Sequence, residues 1–500
     1  MVKEVLDKTE LEIYVQESIP NVNHTKLKLH YHVTPPIGWM NAPNGFLFYK
    51  DQYHLFYQFY PYDTQWGPMH WGHVVSPDLV TWRLLPTALR PGNEQCFSGS
   101  ATDNEGIMVL FYTAHEPINT PPYYSESQNM AFSFDGINFQ KYKDNPVSLY
   151  APKGSVEFRD PKIWKNGNYW YVVLGSKSAD YRGMALLYRS KNMTSWQFKS
   201  VLAKSCGQVG HMWENPDFFE INGKFILLIS PKGIINKGDR FKNTYQTGYV
   251  IGSFDYDTCK FKPETYFQEI DFGHDFYATQ TTEHNGKRYL IAWFGMWDSP
   301  HPEDAEGWLG AMTLVRELDL IGSRLLMKPV EAITKLRQKF ILEGEFKHNA
   351  ILKFEKTAEI IVNIKLDMDI ELEIVGAYGG DQITVRWNAT NGKVMVVRSG
   401  DVRQVKWRPL DAVIWRIFLD ASSLELFCGD GEVVFSSRIY PSGDWRVTNR
   451  SRQSLFVRAY TLKKSIYNEQ SERTDSKVEK SLIGKNNKVN LDLTNFVEQY

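Results

Sequence analysis

The chain is short of the features that mark nucleic-acid binders, membrane proteins and metal-stapled modules. Only four cysteines, Cys96, Cys206, Cys259 and Cys428, are scattered over 500 residues, and none forms a Cys-x-x-Cys pair. That spacing supports neither a zinc site nor a redox motif. Neither sign of charge is in excess: 57 basic and 58 acidic residues leave a net charge of −1. No Lys/Arg block stands out, so nucleic acid is not expected as a partner. Long hydrophobic runs are missing as well. Stretches such as Tyr171-Val172-Val173-Leu174 are far too short to cross a bilayer, so no membrane partner is expected. Met1-Val2-Lys3-Glu4 is followed by charged residues rather than by an apolar leader. Sequons at Asn23, Asn192, Asn388 and Asn449 lean towards a secreted protein whose leader has been removed, with the cytoplasm as the alternative. No pattern specifies an oligomeric state.

What the chain has in quantity is aromatic side chains, at 14%, within a hydrophobic content of 42%. Aromatics suit strands, and they also stack on sugar faces. A length of 500 residues exceeds one ordinary core, so two or three domains are expected.

Turn signals recur between apolar runs: Lys50-Asp51, Asp103-Asn104-Glu105-Gly106, Lys165-Asn166-Gly167, Asn222-Gly223 and Asn285-Gly286. A β-type run follows each, and Asn-Gly between apolar segments is a strong hairpin signal. With Asp51, Asn104, Asn166, Asn222 and Asn285 as markers, the intervals are 53, 62, 56 and 63 residues. One hairpin per interval leaves too much chain, whereas a four-stranded sheet fits. The spacing predicts an all-β fold that opens with a five-bladed β-propeller. Polar residues gather just before each turn, and rotation about one axis would bring them together at one mouth.

The texture changes after Glu317-Leu318. Residues 1–328 read as the propeller with an N-terminal extension. Residues 329–345 read as a helix-like linker, 346–466 as a C-terminal β-sandwich, and 467–500 as a polar tail.

The string Trp39-Met40-Asn41-Ala42-Pro43-Asn44-Gly45 resembles the signature of the family 32 glycoside hydrolases, the invertases and β-fructofuranosidases. Glu157-Phe158-Arg159-Asp160-Pro161 resembles the family's Arg-Asp-Pro motif. Trp213-Glu214-Asn215-Pro216-Asp217 resembles its Glu-Cys-Pro motif, with Asn215 a departure at the middle position. Phe97-Ser98-Gly99-Ser100, Asp275-Phe276-Tyr277-Ala278 and Trp308-Leu309-Gly310 match further motifs, and the likeness covers about residues 30–460.

The resemblance implies a retaining hydrolase of sucrose, with sucrose-6-phosphate or a fructan as alternative substrates. It implies no cofactor and no metal. Retaining chemistry places two carboxyl groups about 5–5.5 Å apart, one attacking the sugar and the other donating a proton. By the resemblance Glu214 is the general acid/base and Asp160 the stabiliser of the transition state. Asn41, Gln58, Trp66, Phe97, Ser98, Arg159, Tyr277 and Trp308 become substrate-binding positions. The family's nucleophilic aspartate is replaced by Ala42, and a methyl group cannot attack an anomeric carbon. The expected protein therefore binds its sugar and does not turn it over, and Glu214 should titrate lower than it would with a carboxylate at position 42. From another class, a non-catalytic fructoside-binding protein is the alternative. His70 and His73, three apart on a strand, point to opposite faces and are not expected to share a metal.

Overall fold

A computed structural model describes residues 8–466. The residues read as a polar tail, 467–500, lie outside the described residues, as do the first seven.

The turn signals form hairpins. Lys50 and Asp51, Glu105 and Gly106, Asn222 and Gly223, and Asn285 and Gly286 are all left-handed pairs, which matches the twist of the flanking strands. Each hairpin joins the first two strands of a sheet, and five such sheets follow one another along the chain. Their first strands are Gly38–Tyr49, Gln95–Asn104, Ser155–Asn166, Met212–Ile221 and Tyr277–His284. These five inner strands pack side by side in order, and the last lies against the first, closing a ring. The ring is locked by Trp308–Leu309, which returns from the fifth sheet and pairs in parallel with Gly38 and Trp39 of the first. This is the expected propeller.

Two six-stranded antiparallel sheets follow and form the expected sandwich. Their facing sides bury alternate residues, such as Ile360 and Val362 on one sheet and Leu372 and Ile374 on the other, in one apolar core. The segment expected to be a linker differs. Glu331–Leu336 is a short 3-10 turn, and Arg337–Phe346 is an edge strand paired with Leu455–Leu462. Most of that strand's side chains are exposed or half-buried, and its polar sequence reads like a connection for that reason. An N-terminal helix, Lys8–Val22, packs Leu11, Val15 and Val22 into the propeller core.

A sealed polar network joins the two bodies. Arg316 donates to Asp271, Glu425 and Ser436 at 2.9, 2.7 and 2.6 Å. His32 lies between Asp420 and Glu425 at 2.9 and 3.0 Å, and these ion-paired side chains have no exposed surface. Among the described residues no helix is long and apolar enough to cross a membrane.

Candidate active site

All five inner strands lose register with their hairpin partners near the same end of the ring. The shifts fall between Met40 and Pro43, Cys96 and Gly99, Arg159 and Lys162, Glu214 and Asp217, and Tyr277 and Thr279. A bulge bends the strand and re-aims one side chain. Asp160, Asn215 and Ala278 adopt left-handed backbones within these bulges, with φ of 61°, 46° and 53°. Non-glycine residues seldom take that conformation, which disfavours their Cβ. Gly175, paired with Arg159, has no space for a Cβ, because the Trp213 carbonyl oxygen fills it. That close approach sets Glu214 beside Arg159.

The bulges converge on a cavity of about 120 Å³ at the hub. Ala42, Asp160 and Glu214, from the first, third and fourth sheets, all line it. Asn41, Gln58, Trp66, Phe97, Ser98, Arg159 and Tyr277 line it with them. Of the residues singled out in the sequence, Trp308 is the exception and needs correction. Its ring is fully buried in the propeller core, with Lys28 and Arg438 over it at 4.5 and 5.7 Å from its centroid. Its Nε1 donates to Glu306, so it is a packing and ring-closing residue.

Four lining residues had not been singled out for the cavity: Asn215, Ala278, Trp293 and Trp297. The run Trp293-Phe294-Gly295-Met296-Trp297, at the end of the strand Lys287–Trp293, was the available signal for the two tryptophans. Trp297 stacks on Trp39 at 5.8 Å and is 37% exposed, and Trp66 at 46% is the most open ring of the wall. The Ala42 methyl packs in a small apolar cluster with Tyr277, Ala278, Trp293 and Met296.

Arg159 organises the charge. It donates to Glu214 Oε1 through Nε and Nη2, at 3.2 and 2.9 Å, and through Nη1 to Glu126 at 3.1 Å, and Nη1 is ion-paired with Glu157 at 2.5 Å. Tyr277 donates to Glu214 Oε2 at 2.6 Å, and Lys232 stands 3.6 Å from Oε1. The Asn215 amide donates to Asp160 Oδ2 at 3.0 Å. Burial alone would raise the Glu214 carboxyl, but Lys232, Arg159 and the Tyr277 hydroxyl outweigh it and hold it below the usual carboxylate range. Asp160 moves the other way. Its burial and the adjacent Glu214 charge push it up, against the pull of Arg159 and the Asn215 amide. Two carboxyl groups driven apart in this way are suited to different tasks.

The imidazoles lie elsewhere. His73 Nε2 meets His54 Nδ1 at 3.0 Å, and His70 Nδ1 meets the Pro68 carbonyl at 2.9 Å. No group of three or more His, Cys, Asp or Glu side chains disposed to hold a metal occurs among the described residues.

Carboxylates, an arginine clamp and aromatic walls at the hub of a propeller, with a sandwich behind it, are the architecture of a glycoside hydrolase. Residues 32–329 match the Glycosyl hydrolases family 32 N-terminal domain, and residues 332–466 match the Glycosyl hydrolases family 32 C terminal domain. The chain belongs to glycosyl hydrolase family 32. It is 40% identical over 453 residues to a sucrose-6-phosphate hydrolase of Zymomonas mobilis, covering 83% of this chain and 87% of that one. It resembles a solved GH32 beta-fructofuranosidase of Bombyx mori at 55% identity and a TM-score of 0.90, covering 92% of this chain and 98% of that one. An aspartate-to-alanine mutant of that enzyme, solved in complex with sucrose, is similar at 56% identity and a TM-score of 0.90, with the same coverage.

Proposed function

We propose that the chain is a retaining β-fructofuranosidase for sucrose that carries alanine in place of its nucleophile, and so holds substrate without forming the glycosyl ester. The observation that carries this reading is the meeting of positions 42, 160 and 214 in one sugar-sized cavity, with a methyl group where one of two facing carboxylates is needed. In the active form, a carboxylate at position 42 attacks the fructosyl carbon while Glu214 protonates the leaving oxygen. Glu214 then takes a proton from the water that opens the ester. Asp160 accepts hydrogen bonds from fructose hydroxyls as the ring flattens.

The low titration of Glu214 belongs to the alanine form, in which it faces Arg159 and Lys232, and the only carboxyl group beside it among the described cavity residues is Asp160, itself held up by that neighbour. A second negative charge at position 42 would raise it towards the range a general acid needs. The sucrose-bound aspartate-to-alanine mutant from Bombyx mori supports a substrate-holding role for this form.

The cavity also favours sucrose over its 6-phosphate. Among the described residues that line the cavity Arg159 is the one cation, and three carboxylates already engage it; Lys232 stands outside the lining, 3.6 Å from Glu214. The test is a substrate panel on Ala42→Asp, comparing sucrose, sucrose-6-phosphate, a short fructo-oligosaccharide and raffinose. Highest kcat/KM on sucrose is the expected result. A clear preference for the phosphate would overturn the substrate assignment, and no turnover of any of the four would overturn the enzyme reading.

A further inference from the structure

A second and larger cavity, of about 410 Å³, opens between the second and third sheets and shares no lining residue with the hub. Its volume falls within the range of small-molecule sites, roughly 300–1,000 Å³. The floor is apolar: Val109, Met130, Trp170 and Met193 are buried there as part of one core cluster, with Phe132 beside them. The rim is basic. Lys141, Lys143, Lys165 and Lys191 stand around the opening; Glu105 is the one carboxylate among the described lining residues, and exposed Asp144 adjoins the rim beside Tyr142. Lys141 is committed to Glu94 at 2.5 Å. The other three form no ion pair among the described residues. Lys165 lies 5.1 Å over the Trp170 ring, and Lys191 lies 6.0 Å over Tyr169. Neutral polar side chains, among them Asn104, Gln140 and Asn168, complete the wall, and the apolar floor beneath a lysine rim suits a ligand with an apolar body and an anionic head.

We propose that this inter-sheet cavity is a binding site for an amphipathic organic anion, a medium-chain carboxylate whose apolar body lies on the Trp170–Met193 floor and whose head meets the Lys143, Lys165 and Lys191 rim. The two halves of the site recognise two halves of the ligand. Burial of the chain supplies affinity in proportion to its apolar area, and the lysines select the sign of the head group.

The test is calorimetric titration of the full chain with dodecanoate, below the concentration at which it forms micelles. Saturable one-to-one binding is expected, unchanged by saturating sucrose. Hexanoate and dodecyltrimethylammonium should bind far more weakly, the first for lack of apolar area and the second for its charge. Lys165 and Lys191 are exposed, so the Lys165→Glu/Lys191→Glu double variant should fold normally and bind dodecanoate about tenfold more weakly. Absence of saturable binding, displacement by sucrose, equal binding of the cationic amphiphile, or undiminished affinity in the double variant would each overturn the proposal.

Discussion

Two buried arginines, Arg159 and Arg316, show how one kind of side chain is put to different ends. Each gathers at least two carboxylates. Around Arg316 every partner is sealed, and the network joins the propeller to the sandwich. Around Arg159 one partner, Glu214, keeps part of its surface in the hub cavity, and its two oxygens receive separate donors. The backbones differ in parallel. Central sandwich pairs such as Ile414–Asp420 with Ser423–Cys428 run in unbroken register, whereas each inner propeller strand breaks register at the cavity. Regular pairing with closed ion pairs serves stability, and bulged pairing with an open ion pair presents reactive groups.

Substitutions at the two networks should therefore separate rate from stability. In an Ala42→Asp background, Glu214→Gln should lower the rate of sucrose hydrolysis by about 10²–10⁴-fold, the usual size of a general acid/base contribution, with little change in the unfolding midpoint. Parallel kinetics and denaturant titration check both halves of that statement. Arg316→Met should do the reverse. It leaves Asp271 buried without its cation and Glu425 with His32 alone, which should cost about 3–5 kcal/mol of unfolding free energy while kcat stays near its starting value.

The pH dependence of stability sharpens the contrast. Burial opposes the protonated form of His32, but hydrogen bonds to Asp420 and Glu425 and their charges raise its pKa above 6.5. The stability it contributes is complete below 6.5 and is lost as pH rises through the elevated folded value. His32→Gln should flatten that alkaline decline in thermal melts, without moving the pH profile of hydrolysis in the Ala42→Asp background. The smallest effect is expected at the cavity mouth. Trp66→Ala should weaken sucrose binding by about 1 kcal/mol, read calorimetrically on the Ala42 protein.

The legible part of this molecule was the part governed by local chemistry. Asn222-Gly223 and Asn285-Gly286 declare left-handed turns in any context, and their spacing gave the sheets. The strings around 42, 160 and 214 carried the three cavity positions because each lies within its own bulge. The strand Arg337–Phe346 escaped notice because an edge strand buries little and so shows little alternation. Trp308 was misplaced because an aromatic beside a motif reads alike whether it faces a sugar or a core. Glu126 carries no motif. It reaches Arg159 from the third strand of the second sheet, a contact that exists only once two sheets are packed together.

Position 42 shares one hub cavity with Asp160 and Glu214. The initial rate of glucose release from sucrose by Ala42→Asp, set beside that of the unaltered chain, tests most directly whether the three act on one sugar. Removal of a catalytic nucleophile can cost on the order of a million-fold in turnover, so the substitution should raise the rate by several orders of magnitude. A correctly folded Ala42→Asp protein that releases glucose no faster than its parent would contradict the account.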